Sequence, residues 1–282
     1  MEIITSQEKL ERVDSILREL EGVIVAFSGG VDSAFLCALA NDALGERALA
    51  VTGRSVTLAQ SEFEDAVKVA QQIGIRHQIV DTAEIEVNSF GNNPPNRCFY
   101  CKNELYSLLR SIAVKEGLPH IVDGSNADDS EDHRPGMKAA RNLGVRSPFM
   151  EAGMGKAEIR KFSQEFNLPT WNKPAMACLS SRIPYGEKIT PEKLSQVERA
   201  EAALRAIGFR ENRVRHHGDV ARVEIPHGEI AALFSNGLAE DMIRCIKEAG
   251  FIYVALDLEG FRSGSMNEML SGRRLIPVAV LP

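Results

Sequence analysis

Five consecutive apolar residues, Val23-Ile24-Val25-Ala26-Phe27, run directly into Ser28-Gly29-Gly30, and this junction limits the fold more than any other stretch of the chain. A strand with one wet face alternates apolar and polar side chains. One with no polar position needs cover on both faces, which a parallel sheet flanked by helices provides. The surrounding pattern agrees. Leu10, Val13, Leu17 and Leu20 recur at helical spacing over residues 6–20, with Thr5 or Ser6 as the N-cap. Beyond the glycine pair the pattern predicts a helix over 31–43 closed by Gly45, a strand over 48–52, a helix over 61–73 and a strand over 77–81. It continues with a helix over 102–116, a strand over 120–123 ending in Asp123-Gly124, and a helix over 155–166. Such alternation predicts an α/β fold with a doubly wound parallel sheet that binds ligands at the carboxyl ends of its strands.

After residue 166 the pattern changes. Residues 168–185 carry three prolines, the single Trp and a cysteine, which marks an ordered functional loop. A helix over 191–207, strands over 212–216 and 220–225, a helix over 238–249 and a closing strand over 251–256 then predict a smaller C-terminal α+β domain. The boundary is placed near 186–190, giving a first domain over 1–188 and a second over 189–282.

Composition excludes several classes. The 282 residues carry 33 Lys+Arg against 39 Asp+Glu, a net charge of −6, which argues against a protein that coats phosphate backbones. No apolar run approaches the roughly 20 residues of a membrane-spanning helix, and the N-terminus reads as a helix without signal-peptide architecture, so a cytoplasmic location is expected. Five cysteines, an odd number, do not form a disulfide framework.

The loop after the first strand, Ser28-Gly29-Gly30-Val31-Asp32-Ser33, is built for an anion. Two glycines permit close approach, and free amides of the next helix converge with two hydroxyls on one point. It is neither a Walker A loop nor a dinucleotide fingerprint, because it has no Gly-Lys-Ser/Thr and no G-x-G-x-x-G. A carboxylate inside a phosphate loop repels the ligand unless a divalent cation intervenes, so Asp32 predicts Mg²⁺ on the phosphates. An ordinary strand-to-helix turn, with Gly for geometry and Ser for capping, is the plain alternative.

SGGVDS resembles the SGGxDS signature of the PP-loop, or N-type ATP pyrophosphatase, superfamily, whose adenine nucleotide alpha hydrolase-like domain cleaves ATP to AMP and pyrophosphate while adenylating an oxygen of its substrate. The stretches 123–129 and Gly155-Lys156-Ala157-Glu158-Ile159-Arg160 resemble later elements of that superfamily. The resemblance implies ATP on Ser28, Gly29, Gly30, Asp32 and Ser33, with Thr52 and Gly124 beside the nucleoside. Lys156 opens a helix, where a cation opposes the macrodipole; a triphosphate nearby compensates it, and a solvated lysine is the alternative.

Cys98-Phe99-Tyr100-Cys101 is a CxxC just before a predicted helix, and Cys178 lies in a loop. The pair suits redox chemistry at a helix N-terminus, or part of a metal site. Cys37 and Cys245 fall in apolar helical patterns and read as core. Three thiolates with an open position fit a 4Fe-4S cluster or a catalytic metal.

The block 171–186, Trp171-Asn172-Lys173-Pro174-Ala175-Met176-Ala177-Cys178-Leu179-Ser180-Ser181-Arg182-Ile183-Pro184-Tyr185-Gly186, is similar to the LarE family of pyridinium-3,5-biscarboxylic acid mononucleotide sulfurtransferases, as are stretches 131–139 and 256–267. The resemblance implies an ATP-dependent sulfurtransferase that adenylates a carboxylate of a mononucleotide and converts it to a thiocarboxylate in nickel-pincer nucleotide biosynthesis. One branch of that family sacrifices the sulfur of a cysteine at the position of Cys178. The other holds a 4Fe-4S cluster, and Cys98 and Cys101 with Cys178 place this chain there by resemblance.

Arg213-Val214-Arg215 alternates on a predicted strand, so both guanidiniums leave one face, beside Arg222 on the next strand. Paired arginines suit a phosphate or carboxylate, and a solvated strand face accommodates them too. The resemblance implies phosphate recognition by Arg213 and Arg215, with Ser181 and Arg182 near the reacting end of a small-molecule nucleotide substrate; it gives Glu201 and Glu224 no role. His216 and His217, adjacent on a strand, point to opposite faces and cannot chelate one metal together. Homo-oligomers are implied by the family, and no sulfur donor is identified. A tRNA thiolase keeps every cysteine but needs a basic face, an amide-forming ligase keeps the ATP loop with no use for three cysteines, and a non-catalytic nucleotide- or metal-binding protein predicts no ATP turnover.

Overall fold

The computed structural model describes residues 4–131, 135–174, 177–235, 237–262 and 265–266. Parts of the three LarE-like stretches, residues 132–134, 175–176, 263–264 and 267, lie outside the described residues. The chain forms two compact units that meet between Cys178 and Leu179.

The first unit runs α1 (Ser6–Glu19), β1 (Val23–Ala26), α2 (Val31–Leu44), β2 (Ala48–Arg54), α3 (Gln60–Ile73), β3 (Arg76–Asp81), α4 (Asn88–Gly91), α5 (Arg97–Glu116), β4 (His120–Val122), α6 (Pro135–Asn142), α7 (Pro148–Glu151) and α8 (Lys156–Glu165). Its four strands lie in the order β3-β2-β1-β4, all parallel, with Val23 opposite both Ala48 and His120. The uninterrupted apolar run has its reason here. Val23, Val25 and Phe27 join the core that α1, α2 and α8 cover, while Ile24, Leu49 and Val51 join Tyr106, Leu109 and Ala113 of α5 on the other face. The sheet is thus wound on both sides, as predicted. At its edge β3 is exposed and charged, with Arg54 forked onto Asp81 at 2.7 and 3.0 Å.

The second unit comprises α9 (Pro191–Ala206), β5 (Arg213–His217), β6 (Val220–Glu224), α10 (Ile230–Leu233), α11 (Leu238–Glu248) and β7 (Tyr253–Leu256). Its sheet order is β5-β6-β7, the first pair antiparallel through the two-residue turn Gly218-Asp219 and the second parallel. Thr190 caps α9 by accepting from the Lys193 amide at 3.3 Å, and Pro191 opens the helix where its missing N–H costs nothing.

Two local expectations change. Cys37 is buried, but Cys245 is only half-buried and turns its thiol to the Met242 carbonyl at 3.3 Å, because α11 presents Ile243 and Arg244 to solvent. The helix expected over 102–116 begins five residues earlier, at Arg97, with consequences for the cysteines. No described helix is long and apolar enough to cross a membrane.

Candidate active site

The turn from β1 to α2 holds Gly29 at φ +74°, and a Cβ there would lie 2.7 Å from Cβ of Ala66, so only glycine fits. The two serines face each other: Ser28 Oγ lies 3.0 Å from Ser33 Oγ, which also accepts from the Ser28 amide and donates to the Gly30 carbonyl. Gly30 is the N-cap of α2 and supplies no side chain to the amides of its first turn. Those donors are left for a ligand.

Gly124, just beyond β4, passes so close to α2 that a Cβ would lie 2.9 Å from the Ser33 amide. Asp123 before it is buried and accepts from Tyr106 Oη at 2.9 Å, Ser147 Oγ at 2.7 Å and the Ser125 amide at 3.1 Å. Burial, reinforced by Asp123, pushes the Tyr106 phenol up and keeps it a donor. Lys156, at the start of α8, ion-pairs with Asp32, while its own amide donates to Asp128 at 2.8 Å. The cation that the sequence placed against the macrodipole therefore meets the Asp32 carboxylate, and Asp128 takes up the helix-start amide beside it. Thr52 Oγ1 donates to the Phe27 carbonyl at 3.0 Å, which leaves it to accept from Nε2 of His77 at 2.9 Å. His77, half-buried, is held below the usual imidazole range by desolvation.

Ser28, Asp32, Ser33, Thr52, Gly124, Cys101 and Cys178 line one cavity of about 510 Å³ at the carboxyl ends of β1, β2 and β4. The CxxC does not precede a helix as expected. It occupies the first turns of α5, because the Pro94 carbonyl accepts from the Arg97 amide at 3.0 Å and turns the chain directly into the helix. Three-residue spacing then puts both sulfurs on one helix face. The lowered thiol pKa expected at a helix start is absent. Burial pushes Cys101 up, with Glu84 and Cys178 adding to it; desolvation of its sulfur raises Cys98 too, although the residue is exposed, with Cys178 again contributing. Cys178 itself is exposed. Among the described residues no three of His, Cys, Asp and Glu gather closely enough to hold a single metal ion. Cys178 nevertheless interacts electrostatically with both Cys98 and Cys101, so the three thiols lie near one another, and a strong cation beside them would favour their thiolates.

Sequence reasoning missed Glu84, which is buried on the same cavity wall. Its Oε1 accepts from Ser55 Oγ at 2.7 Å and Thr57 Oγ1 at 2.8 Å, whereas its Oε2 is buried with no hydrogen-bond partner. No local motif announces it: its partners come from a segment nearly 30 residues earlier.

The second unit carries its own polar cluster. Arg182 (1% exposed) grips Glu201 (2%) through two bonds of 2.8 and 3.0 Å, and Glu201 also accepts from the Val214 amide at 3.0 Å. Arg215 grips Glu224 at 2.9 and 2.8 Å and donates to the Ser181 carbonyl at 2.8 Å, while Arg222 reaches Glu224 at 3.0 Å. Arg213 lies over the Phe261 ring at 5.0 Å. Burial, with Arg182 and Arg215 adding to it, brings its pKa down to about 10. A solvated strand face is excluded, since Arg213 and Arg215 are both buried. Among the described residues, the buried guanidiniums of Arg182, Arg213 and Arg215 share this cluster with the buried carboxylates of Glu201 and Glu224. Glu201 and Glu224 acquire a role as counter-charges. His216 packs on Phe251 and His217 is exposed, on opposite faces of β5.

A parallel sheet with an uncapped helix after Ser-Gly-Gly defines a PP-loop nucleotide domain of the ATP pyrophosphatase type. The NAD synthase family profile matches residues 9–111, the part that contains this loop. An uncharacterized protein of Synechocystis sp. is 43% identical over 94% of this chain and 99% of its own length. The pyridinium-3,5-bisthiocarboxylic acid mononucleotide synthase of Lactiplantibacillus plantarum is 38% identical over 93% of this chain and 95% of its own. The tRNA-specific 2-thiouridylase MnmA of Halothermothrix orenii is 27% identical over 55% of this chain and 54% of its own. The chain belongs to the pyridinium-3,5-bisthiocarboxylic acid mononucleotide synthase (LarE) family.

Proposed function

We propose that this protein is an ATP-dependent sulfurtransferase that adenylates a carboxylate of pyridinium-3,5-biscarboxylic acid mononucleotide and replaces its oxygen with sulfur. The observation that carries the reading is one cavity in which the phosphate loop and the sulfurs of Cys101 and Cys178 face the same space. ATP phosphates would take the free amides of α2 and the hydroxyls of Ser28 and Ser33. Asp32 and Asp129, both on the cavity wall, offer carboxylate oxygens to Mg²⁺, and Lys156, released from Asp32, would turn to the phosphates. A carboxylate resists attack until its oxygen is esterified to AMP, and holding it beside the sulfur source removes the entropic cost of encounter.

Cys98, Cys101 and Cys178 would hold a 4Fe-4S cluster through three of its irons. Cysteine thiolates are the ligands such a cluster takes, and these three would supply them while leaving one iron for the sulfur that is transferred. When bound, that group supplies a sulfur nucleophile at the iron without a cysteine. The chain's part is to keep those thiols poised as ligands, to fix the nucleotide, and to hold a phosphate of the substrate on Arg213 and Arg215, with Ser181 and Arg182 near its reacting end. Location in the cytoplasm and assembly into homo-oligomers belong to the same reading.

Anaerobic iron, sulfide and zinc analysis with the visible spectrum tests the sulfur route. Wild type should bind iron and sulfide and show a broad visible band, and Cys98→Ala should lose both. A colourless protein carrying one zinc would contradict the cluster. Mass spectrometry after turnover separates the routes: the protein mass should be unchanged, whereas loss of H₂S from Cys178 would mean sacrifice of that cysteine.

A further inference from the structure

Glu84 is a carboxylate with one oxygen used and one left over. Ser55 and Thr57 both donate to Oε1, which fixes the plane of the group, while Oε2 is buried without a donor. Among the described residues no Lys, Arg or His forms an ion pair with it. A buried carboxylate in that state is stable only if it is protonated, paired or bound to a metal. The residue stands on the same cavity wall as Cys101 and Cys178, and its charge reaches the Cys101 thiol.

We propose that Glu84, through Oε2, is the resting fourth ligand of the metal group held by Cys98, Cys101 and Cys178, and that incoming hydrosulfide displaces it. The inference rests on the cluster reading given above. The exchange balances: one iron–oxygen bond breaks and one iron–sulfur bond forms, the hydrosulfide arrives as hydrogen sulfide and its proton passes to the displaced Oε2, so no net charge is added and no electron is transferred. Ser55 and Thr57 give the arrangement its purpose, because they keep Oε1 occupied and limit the carboxylate to one-point binding. They also retain the group when it is displaced, so it returns once sulfur has left. The open position is thereby protected between turnovers and stays exchangeable.

The test uses the anaerobically reconstituted full chain titrated with sodium sulfide, followed by its visible spectrum and by electron paramagnetic resonance after reduction. Glu84→Gln preserves an acceptor for Ser55 and Thr57 and removes the ligand. If Glu84 fills the position nine-tenths of the time, the variant should saturate at about tenfold lower sulfide than wild type. Equal saturation with equal iron content would overturn the proposal. Iron X-ray absorption of wild type gives an answer independent of any variant: an iron–oxygen contribution that sulfide abolishes supports the assignment, and an all-sulfur shell before sulfide is added refutes it. Wild type that takes up no iron and sulfide would instead refute the cluster reading beneath it.

Discussion

Gly29 carries two separate constraints, a left-handed backbone and a 2.7 Å approach to Ala66 that any Cβ would violate. Gly29→Ala should therefore cost about 1–2 kcal/mol in backbone strain alone and distort the anion cradle. ATP affinity measured by calorimetry should fall at least tenfold while the circular dichroism of the fold is kept. In the second unit, Glu201→Ala leaves the Arg182 guanidinium buried without its forked partner, and urea unfolding should show a loss of about 3–5 kcal/mol. Replacing both residues by apolar ones of similar size should restore much of it. The loop residues Ser28 to Ser33 and the Cys98–Cys101 pair were legible in the sequence because each is contiguous, and Cys178 through the separate block 171–186 that carries the family resemblance. Glu84 and His77 were not, since what gives them meaning is a distant partner, Thr52 25 residues before His77 and Ser55 29 residues before Glu84. Glu201 and Glu224 were noticed without a role, because a counter-charge is defined only by the arginine that meets it.

Among the elements the sequence did predict, α5 was the one most misjudged. Its first turns lack apolar periodicity and follow two prolines, so the pattern signal begins only where Leu105, Tyr106 and Leu109 face the core. Helices α1, α2, α3, α8, α9 and α11 were placed within one or two residues, with Thr5 and Thr190 as capping signals at two of them, whereas the short α4, α6, α7 and α10 were not anticipated. Residues 171–174 show how a loop can be ordered without secondary structure. Arg160 of α8 donates to the Trp171 carbonyl at 2.7 Å and the Lys173 carbonyl at 2.8 Å, and Lys173 pairs with Glu62 of α3 at 2.9 Å. Arg160→Ala removes two of these anchors. Amide exchange at residues 171–174 should quicken and alkylation of Cys178 should accelerate severalfold, with the far-UV spectrum unchanged.

For the molecule as a whole, burial sets the acid side of stability. His77 and His216 are both held below the ordinary imidazole range by desolvation. The unfolded chain therefore takes up protons before the folded one does, so their contribution is complete above a pH of about 6.5 and is lost as pH falls through that value toward the lower folded pKa. Thermal midpoints should drop between pH 7 and 5.5, and His77→Asn with His216→Asn should flatten that slope. The alternation of strands and helices made the first unit legible at this scale. The parallel pairing of β6 with β7 was less so, because short strands in a small unit do not reveal their partners. The central claim joins the two halves of one cavity, ATP chemistry and sulfur transfer. An anaerobic single turnover with ATP and pyridinium-3,5-biscarboxylic acid mononucleotide, analysed by mass spectrometry, tests it most directly. AMP, pyrophosphate and a thiocarboxylate product should appear in equal amounts; ADP and phosphate, or AMP released with the carboxylate unaltered, would contradict it.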